Sequence, residues 1–456
     1  MEKDADPLLS IVTVNFNGKD FLSSLFDSIS NLNYSRDKLQ VIMVDNASTD
    51  GSVDLVKEKY PWVQIAALKK NTGYAGGNNE GFRLARGKYI ALINNDCVVD
   101  PDWAREMLAI FRESGDDSKI GAVGSKVVFY FPYLPLELVS DSINQKGRSG
   151  HARRLGVKVS KIIIGGQGQW ANRSIKYMDG FYPPQGSWQW TNGDGYLGIP
   201  IADQDQDLKL QLTLSSCLES NRLKIVIGEE LLEEVEVGRE EKIVDLTVPQ
   251  HYYRYQKDII NSCGVKVNHS LYARERGFNS FDEGQYSRVE EVFGLSGSSF
   301  IVDRAMLEDT GYFDPDFFTY YEDIDLFWRA RLRGWKHFFV PNSVARHYHC
   351  GTGREWSYDF TYYVLRNRML AIFKCGWFSL LARTWLAFAG SMVYHGGYYG
   401  FLLLAGRKPN RVDIPIRVKL FFKFFYLFAA YLGARARIRF SAVVKDKQIK
   451  KWMRSF

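Results

Sequence analysis

Four carboxylates stand where their types and spacing could do chemistry. Glu322, Asp323 and Asp325 fall early in the segment Phe317–Trp335, FFTYYEDIDLFWRARLRGW, in an aromatic setting where an amphipathic helix begins. Asp96 closes most of Leu92–Cys97, LINNDC, just past an apolar strand. Acids divided in this way suit a metal-assisted transfer from a phosphate-bearing donor: one holds a hard cation against phosphate, another takes a proton. Mg²⁺ and Mn²⁺ accept carboxylate and phosphate oxygens, so a single Asp can be the protein's main ligand. The plainer account makes Asn94-Asn95-Asp96 a solvated strand end that caps the helix opened by Pro101. On helical spacing Glu322 and Asp325 share a face and Asp323 points elsewhere. A helix N-terminus favours acids even without a catalytic task, but an aromatic surround raises proton affinity and suits an acid to general-base work. His347-Tyr-His349 follows an apolar run, where a histidine either completes a metal shell or serves packing.

The elements that must position these residues alternate strand and helix. Leu9–Val14, Leu39–Val44, Val63–Leu68 and Tyr89–Ile93 read as apolar strands, Phe21–Ile29 and Gly81–Arg86 as helix, and Asn71–Asn79, NTGYAGGNN, as a glycine-rich loop. Continuous apolar strands joined by helices predict a parallel sheet covered on both faces. Ligands bind beyond the carboxyl ends of such strands, and the polar clusters Asn15–Asn17, Asp45–Asp50, Asn71–Asn78 and Asn94–Asp96 all fall there. Asp45, at the end of the second strand, either reads a ribose or base edge or simply opens a capped turn. The first strand has no G-x-G-x-x-G after it, which excludes a dinucleotide-binding unit. Between residues 130 and 258 the pattern changes to short alternating strands, Leu208–Leu214, Leu223–Ile227, Val235–Val237 and Ile243–Val248, with a turn at Asn192–Gly195. These predict an all-β, sandwich-like module set into the α/β domain, serving as spacer or glycan binder.

Five scattered cysteines (Cys97, Cys217, Cys263, Cys350, Cys375), none in C-x-x-C, exclude a disulfide framework and a cysteine zinc site and point to a reducing compartment. The N-terminus, without signal-peptide character, places the catalytic part in the cytosol. From Arg407 to Phe456 fourteen Lys/Arg face two acids, Asp413 and Asp446, so the tail carries about +12 of a chain whose net charge is +7. Thr384–Gly406 is an uncharged run of 23 residues, and Val418–Gly433 a second aromatic one broken by Lys419 and Lys423. Spanning would carry Arg407, Lys408, Arg411 and Arg417, or the whole basic tail, to the outside, against the positive-inside tendency. Interfacial helices on an anionic leaflet keep every cation cytosolic; a membrane-spanning hairpin is the second expectation. So much lipid-compatible surface excludes a nucleic-acid arm.

VTVNFNG (12–18), VDNASTDGS (44–52), NTGYAGGNN (71–79), INND (93–96) and GSSFIVDRAMLEDTGYFDPDFFTYYEDIDLFWRARLRGW (297–335) occur in the order seen in family 2 glycosyltransferases of the GT-A fold. The chain resembles that family most in its rhamnosyltransferase-like branch, over about residues 8–129 and 259–377. The resemblance implies an α/β nucleotide-diphospho-sugar transferase domain made of residues 1–129 and 259–377. The β-module of 130–258 interrupts it, and membrane-associated helices of 378–456 follow. It implies donor binding by Asn17, Asp45, Asn71, Gly73, Gly76 and Asn94, and a Mg²⁺ or Mn²⁺ on Asp96 with His347, His349 being the alternative histidine. Asn94 stands where the family's D-x-D metal motif has its first acid, so one ligand carboxylate is missing. Asp323 corresponds to the general base and Glu322 to its companion, while Gly297, Trp335 and Asp325 border the acceptor. The implied reaction is inverting transfer from a dTDP-rhamnose or UDP-hexose donor to a lipid-linked or cell-envelope glycan. The Q-x-x-R-W signature of processive synthases is missing, so one or a few sugars are added. The competing expectations are a nucleotidyl- or phosphoglycosyl-type transferase on the same frame, and a weakened, glycan-binding relative.

Overall fold

The computed structural model describes residues 7–115, 118–146, 152–166, 168–349, 357–406 and 413–455. Cys350, Arg407, Lys408 and Arg411 lie outside the described residues. The chain divides into two compact units, one of Met1–Val127, Ser262–Arg276 and Tyr286–Phe456, the other of Val128–Asn261 and Gly277–Gln285.

The first unit opens β1 (Leu9–Asn15), α1 (Lys19–Ser30), β2 (Leu39–Asp45), α2 (Ser52–Lys59), β3 (Gln64–Ala67), α3 (Gly73–Leu84), β4 (Tyr89–Ile93), β5 (Cys97–Val99), α4 (Trp103–Ser114) and β6 (Ile120–Phe129). After the second unit come β7 (Ser299–Asp303), α5 (Arg304–Thr310), α6 (Glu322–Leu332), β8 (Lys336–His347) and α7 (Tyr358–Cys375). Sheet order runs β6-β7-β4-β1-β2-β3. β1 pairs in parallel with β2 and β4, and β2 with β3, so their carboxyl ends stand side by side. The fully parallel sheet expected from the sequence is instead mixed, because β7 runs antiparallel to β4 and β8 antiparallel to β5. Leu9, Ile11, Met43, Ala91 and Ile301 from the sheet, with Leu22, Phe26, Trp103 and Met107 from the helices, form one buried core. Apolar runs in β4 and β7 read alike because both are buried, and burial says nothing about strand direction.

Two local expectations fail. Asn71–Asn79 is not a loop: α3 begins at Gly73 and runs through it. A Cβ on Gly81 would meet Val12 Cγ1 at 2.2 Å, and one on Gly77 would meet Val14 Cγ1 at 2.7 Å. These glycines let a helix lie tight against β1, a use that looks like a loop in sequence. Pro101 does not open α4, which starts at Trp103 behind the turn Pro101-Asp102.

The second unit has a five-stranded and a four-stranded antiparallel sheet. Leu134, Leu136, Leu138, Leu223 and Ile225 of one sheet share a core with Leu208, Leu210, Leu212, Leu214 and Val244 of the other. Alternation in Leu208–Ser216 follows from that single buried face. Among the described residues, the short helix Gly168–Arg173 and the 3₁₀ helix Gln250–Tyr255 depart from all-β character.

The tail forms α8 (Phe378–Leu404), α9 (Asp413–Phe440) and α10 (Asp446–Lys450) within the first unit. Ile416, Leu420, Phe424 and Leu427 of α9 pack with Tyr362, Leu365 and Met369 of α7 and Phe388 of α8. Among the described residues, no helix is long and apolar enough to cross a membrane.

Candidate active site

The parallel strands deliver their polar ends to one place. Asn15, closing β1, donates through Nδ2 to Asp45 Oδ1 at 3.0 Å, and its own Oδ1 accepts from Asn95 Nδ2 at 2.8 Å. Asp45 Oδ2 accepts from the Ser48 amide at 2.9 Å. The Asp45 carboxylate is buried and ties the end of β1 to the turn after β2. Asn17, exposed and in a left-handed conformation, accepts at Oδ1 from the Thr49 amide at 2.8 Å. Asp50 accepts from the amides of Lys19 and Ser52.

The start of α3 is held by Asn71, whose Oδ1 accepts from the Gly73 amide at 2.8 Å, and by Asn46, whose Nδ2 donates to the Gly73 carbonyl at 2.9 Å. Gly73 has φ +74°, and a Cβ there would meet the Phe318 carbonyl at 2.4 Å. The Ala75 amide donates to that same carbonyl at 3.1 Å. Gly76, one turn on, faces Thr72. Thus the segment preceding α6 is seated directly on the N-terminus of α3.

That segment is unusual. Phe318, Tyr320 and Tyr321 have φ of 62°, 66° and 69°, three non-glycine residues in a region that costs about 1–3 kcal/mol apiece. The fully buried Asn367 of α7 holds it: Nδ2 lies 2.8 Å from the Phe317 carbonyl, 2.9 Å from that of Thr319 and 2.7 Å from that of Tyr320. Arg366 donates to the Asp316 carbonyl at 2.5 Å.

Of the three acids that follow, only Asp323 reaches the surface. Its Oδ1 accepts from the Ile324 amide at 2.7 Å and its Oδ2 from the Gly297 amide at 3.2 Å, while Tyr74 donates its hydroxyl hydrogen to the Gly297 carbonyl. Burial pushes the Asp323 carboxyl up to about 6 against these hydrogen bonds. Glu322 is buried with Oε2 unpartnered, and burial followed by the charge of Asp323 pushes it well above the usual carboxylate range. Glu275, hydrogen-bonded to Ser262, is raised to about 8 by burial, with the charge of Asp323 adding to it.

Asp325 does not border an acceptor. It is fully buried and paired with Arg329 Nε at 2.8 Å and Lys374 Nζ at 2.9 Å. Trp335 does not either. It lies past the far end of α6 from Asp323, its indole donating to Asp309 at 2.8 Å. Helical spacing gives direction around an axis but not depth, and α6 spans about 16 Å at 1.5 Å per residue.

A second cluster faces the first. His347, the last residue of β8, pairs in register with Cys97 of β5. Its Nε2 lies 3.1 Å from Asp96 Oδ1 and 3.4 Å from Asn94 Nδ2. One ligand atom each from Asp96, Cys97 and His347 fits within 4.8 Å, all three residues being buried. Asn94 Oδ1 is buried with no partner. An orphaned oxygen beside a carboxylate and an imidazole is the donor set that a Mg²⁺- or Mn²⁺-class cation takes, so these residues fit such an ion. His349 is adjacent, its ring centroid 5.6 Å from that of His347. The clusters meet at Gly297-Ser298: the Ser298 carbonyl accepts from the Asn94 amide at 3.0 Å, and the Gly297 amide holds Asp323.

Residues 10–173 match the family model described as "Glycosyl transferase family 2". Over that stretch the chain is similar to glycosyltransferase family 2. The matched stretch holds Asn17, Asp45, Asn94 and Asp96 and ends before Asp323 and His347. A poly(ribitol-phosphate) beta-glucosyltransferase of Bacillus spizizenii is 28% identical over 117 residues, 25% of this chain and 18% of that protein. A putative teichuronic acid biosynthesis glycosyltransferase of Bacillus subtilis is 31% identical over 110 residues, 24% of this chain and 43% of that protein. The glycosyltransferase match therefore spans less than half the length of these curated relatives. A solved mannosyltransferase of Pyrobaculum calidifontis, in complex with GDP-Man and Mn²⁺, aligns over 94% of this chain and 88% of that one at 13% identity, with a TM-score of 0.40.

Sequence reasoning passed over Tyr74, Asn46, Glu275 and Asn367. Asn367 sits in a helix with no acidic or glycine-rich signature around it; its only signal is the polar run Arg366-Asn367-Arg368 with apolar residues on either side.

Proposed function

We propose that this chain is an inverting glycosyltransferase that moves a sugar from a nucleotide-diphospho-sugar to a hydroxyl of a lipid-linked or cell-envelope glycan. The observation that carries this is Gly297-Ser298, which sets one part-buried, basic carboxylate beside a donor set that fits a cation. Asp323, raised to about 6, is ionised at neutral pH yet more basic than an ordinary carboxylate, which suits it to take the acceptor's proton. Glu322 is buried, and burial followed by the charge of Asp323 pushes its carboxyl well above the usual carboxylate range. As the hydroxyl oxygen attacks the anomeric carbon, the bond to the nucleoside diphosphate breaks on the opposite face and its electron pair leaves with the phosphate. No covalent sugar–enzyme intermediate is needed, so no nucleophilic side chain is either. Asp96 and His347, with Asn94 Oδ1, would hold the divalent cation, which supplies charge neutralisation to the leaving diphosphate. Asn15, Asn17, Asp45 and the start of α3 form the donor side.

Acceptor class rests on the relatives, whose names refer to poly(ribitol-phosphate) and to teichuronic acid biosynthesis. The donor is dTDP-rhamnose or a UDP-hexose, the former on motif resemblance alone. A peripheral position on the cytoplasmic face of the membrane rests on the tail, whose α9 exposes Val418, Phe422, Phe425, Tyr426, Leu432 and Phe440.

The test is nucleoside-diphosphate release from UDP-, dTDP- and GDP-sugars with Mn²⁺ or Mg²⁺, in detergent with a membrane lipid extract, for wild type and Asp323→Asn. Release from one donor, lost on chelation and in the variant, is the expected result. Release of pyrophosphate or nucleoside monophosphate assigns the chain to nucleotidyl or phosphoglycosyl transfer instead. Donor binding without turnover makes it a glycan-binding relative.

A further inference from the structure

The second unit carries an aromatic hairpin whose outward face its own core does not use. The segment Phe181–Trp190, FYPPQGSWQW, folds back on itself: the Tyr182 amide donates to the Trp190 carbonyl at 2.9 Å and the Gln185 amide to the Trp188 carbonyl at 2.9 Å. Residues 183–187 are exposed at its tip. A bridge between Phe181 and Thr191 fixes the register. Thr191 is buried and Phe181 packs on the sandwich core, so that pair faces inward. Strand alternation then puts Tyr182, Trp190 and Trp188 together on the outward face. Trp190 is also opposite Lys158 on the neighbouring strand, while inward-facing Val159 is opposite Gln189.

Cations sit against these rings. Lys158 Nζ lies 5.7 Å from the Trp188 centroid, and the exposed Arg153 guanidinium 5.4 Å from that of Tyr182. Trp188 and Trp190 meet edge to face at 6.4 Å. Glu241 tethers the cluster, accepting from Lys158 at 3.2 Å and from Ser160 at 2.7 Å. Three half-buried aromatic rings outside a core present flat apolar surface with polar rims. Sugar rings offer C–H faces to such surface, and adjacent Arg and Lys select carboxylate or phosphate substituents.

We infer that this face of the second unit binds an anionic glycan strand, with Tyr182, Trp188 and Trp190 stacking its sugars and Arg153 and Lys158 pairing its charges. Charge complementarity commits the occupant: Arg153 and Lys158 flank the rings, against Glu241. The site is distinct from the donor and base residues, and its binding is read without turnover, so it stands or falls separately from the transferase reading.

The test is calorimetric titration of the full chain with oligogalacturonate, an anionic probe, and with a maltodextrin of equal length, a neutral one, at physiological ionic strength. Oligogalacturonate binds wild type and weakens about tenfold or more in Trp188→Ala/Trp190→Ala, the loss of stacked rings. Arg153→Gln/Lys158→Gln, which keeps the rings, also weakens it about tenfold, with donor release unchanged in both variants. Equal affinity for the neutral probe overturns the anionic assignment. An unchanged affinity in the Trp variant, or no binding of either probe, overturns the site.

Discussion

At the scale of single residues, acid and imidazole types in order along the chain made Asp96, Asp323 and His347 readable. What the residue pattern concealed was depth: Asp325, two positions from Asp323, is locked between Arg329 and Lys374. Asp323 itself titrates in a useful range. With a folded-state value of about 6 against its ordinary 3.8, kcat/KM should rise with pH and level off above about 6. Asp323→Asn should lower turnover about 10²–10⁴-fold and abolish that rise. Stability runs the other way. A raised carboxyl binds more protons folded than unfolded, so its ionisation costs stability as pH rises from about 4 through 6. Asp323→Asn should therefore melt above wild type at pH 8 and lose that advantage at pH 3.5, as thermal melts at the two pH values would show. A profile flat from pH 5 to 8, with an unchanged melting difference, would remove Asp323 from the role of base.

At the scale of elements, β1, β2, β4 and their helices were legible because an apolar run of five to seven residues bounded by polar turns has few other uses. α3 was not, because glycine signals both loops and close packing. Its glycines can be tested directly. Gly81→Ala places a methyl 2.2 Å from Val12 Cγ1, and overpacking of this kind costs about 1–3 kcal/mol. Urea midpoints should fall accordingly; an unchanged midpoint would mean the helix has room to shift. The left-handed stretch Phe318–Tyr321 was illegible for a different reason, since nothing local favours it and the cause lies some fifty residues on, in Asn367. Asn367→Ala leaves backbone carbonyls unsatisfied, at about 1–3 kcal/mol. Because those carbonyls aim the N-terminus of α6, kcat should drop about 10²-fold while donor KM stays put. Equal losses in kcat and stability-corrected donor affinity would reduce Asn367 to a packing residue.

At the scale of the whole molecule, composition announced a second, β-rich body and a basic, aromatic tail. It could not show that α8 and α9 belong to the same compact unit as the site. Tyr431 of α9 makes the link, its hydroxyl donating to Asp314 at 2.9 Å and lying 2.7 Å from Asp316, just ahead of the left-handed stretch. α9 thus has one face committed to the protein and another that exposes Val418, Phe422, Tyr426 and Leu432. Arg417, which donates to Ser391 of α8 at 2.9 Å, and the exposed Lys419, 5.1 Å from the Tyr362 ring centroid, flank Val418 in the chain. An apolar stripe edged with cations fits the interface of an anionic leaflet, where each buried Phe contributes about 1.5–3 kcal/mol and each cation about 1 kcal/mol. The full chain should float with phosphatidylglycerol vesicles and less with phosphatidylcholine, and added salt should release part of it. Phe422→Glu/Tyr426→Glu should abolish flotation while Tm and detergent-phase donor release hold, since both side chains are largely exposed. Flotation indifferent to lipid charge and to both substitutions would place the membrane contact elsewhere and leave α9 as a strut for the loop that aims Asp323.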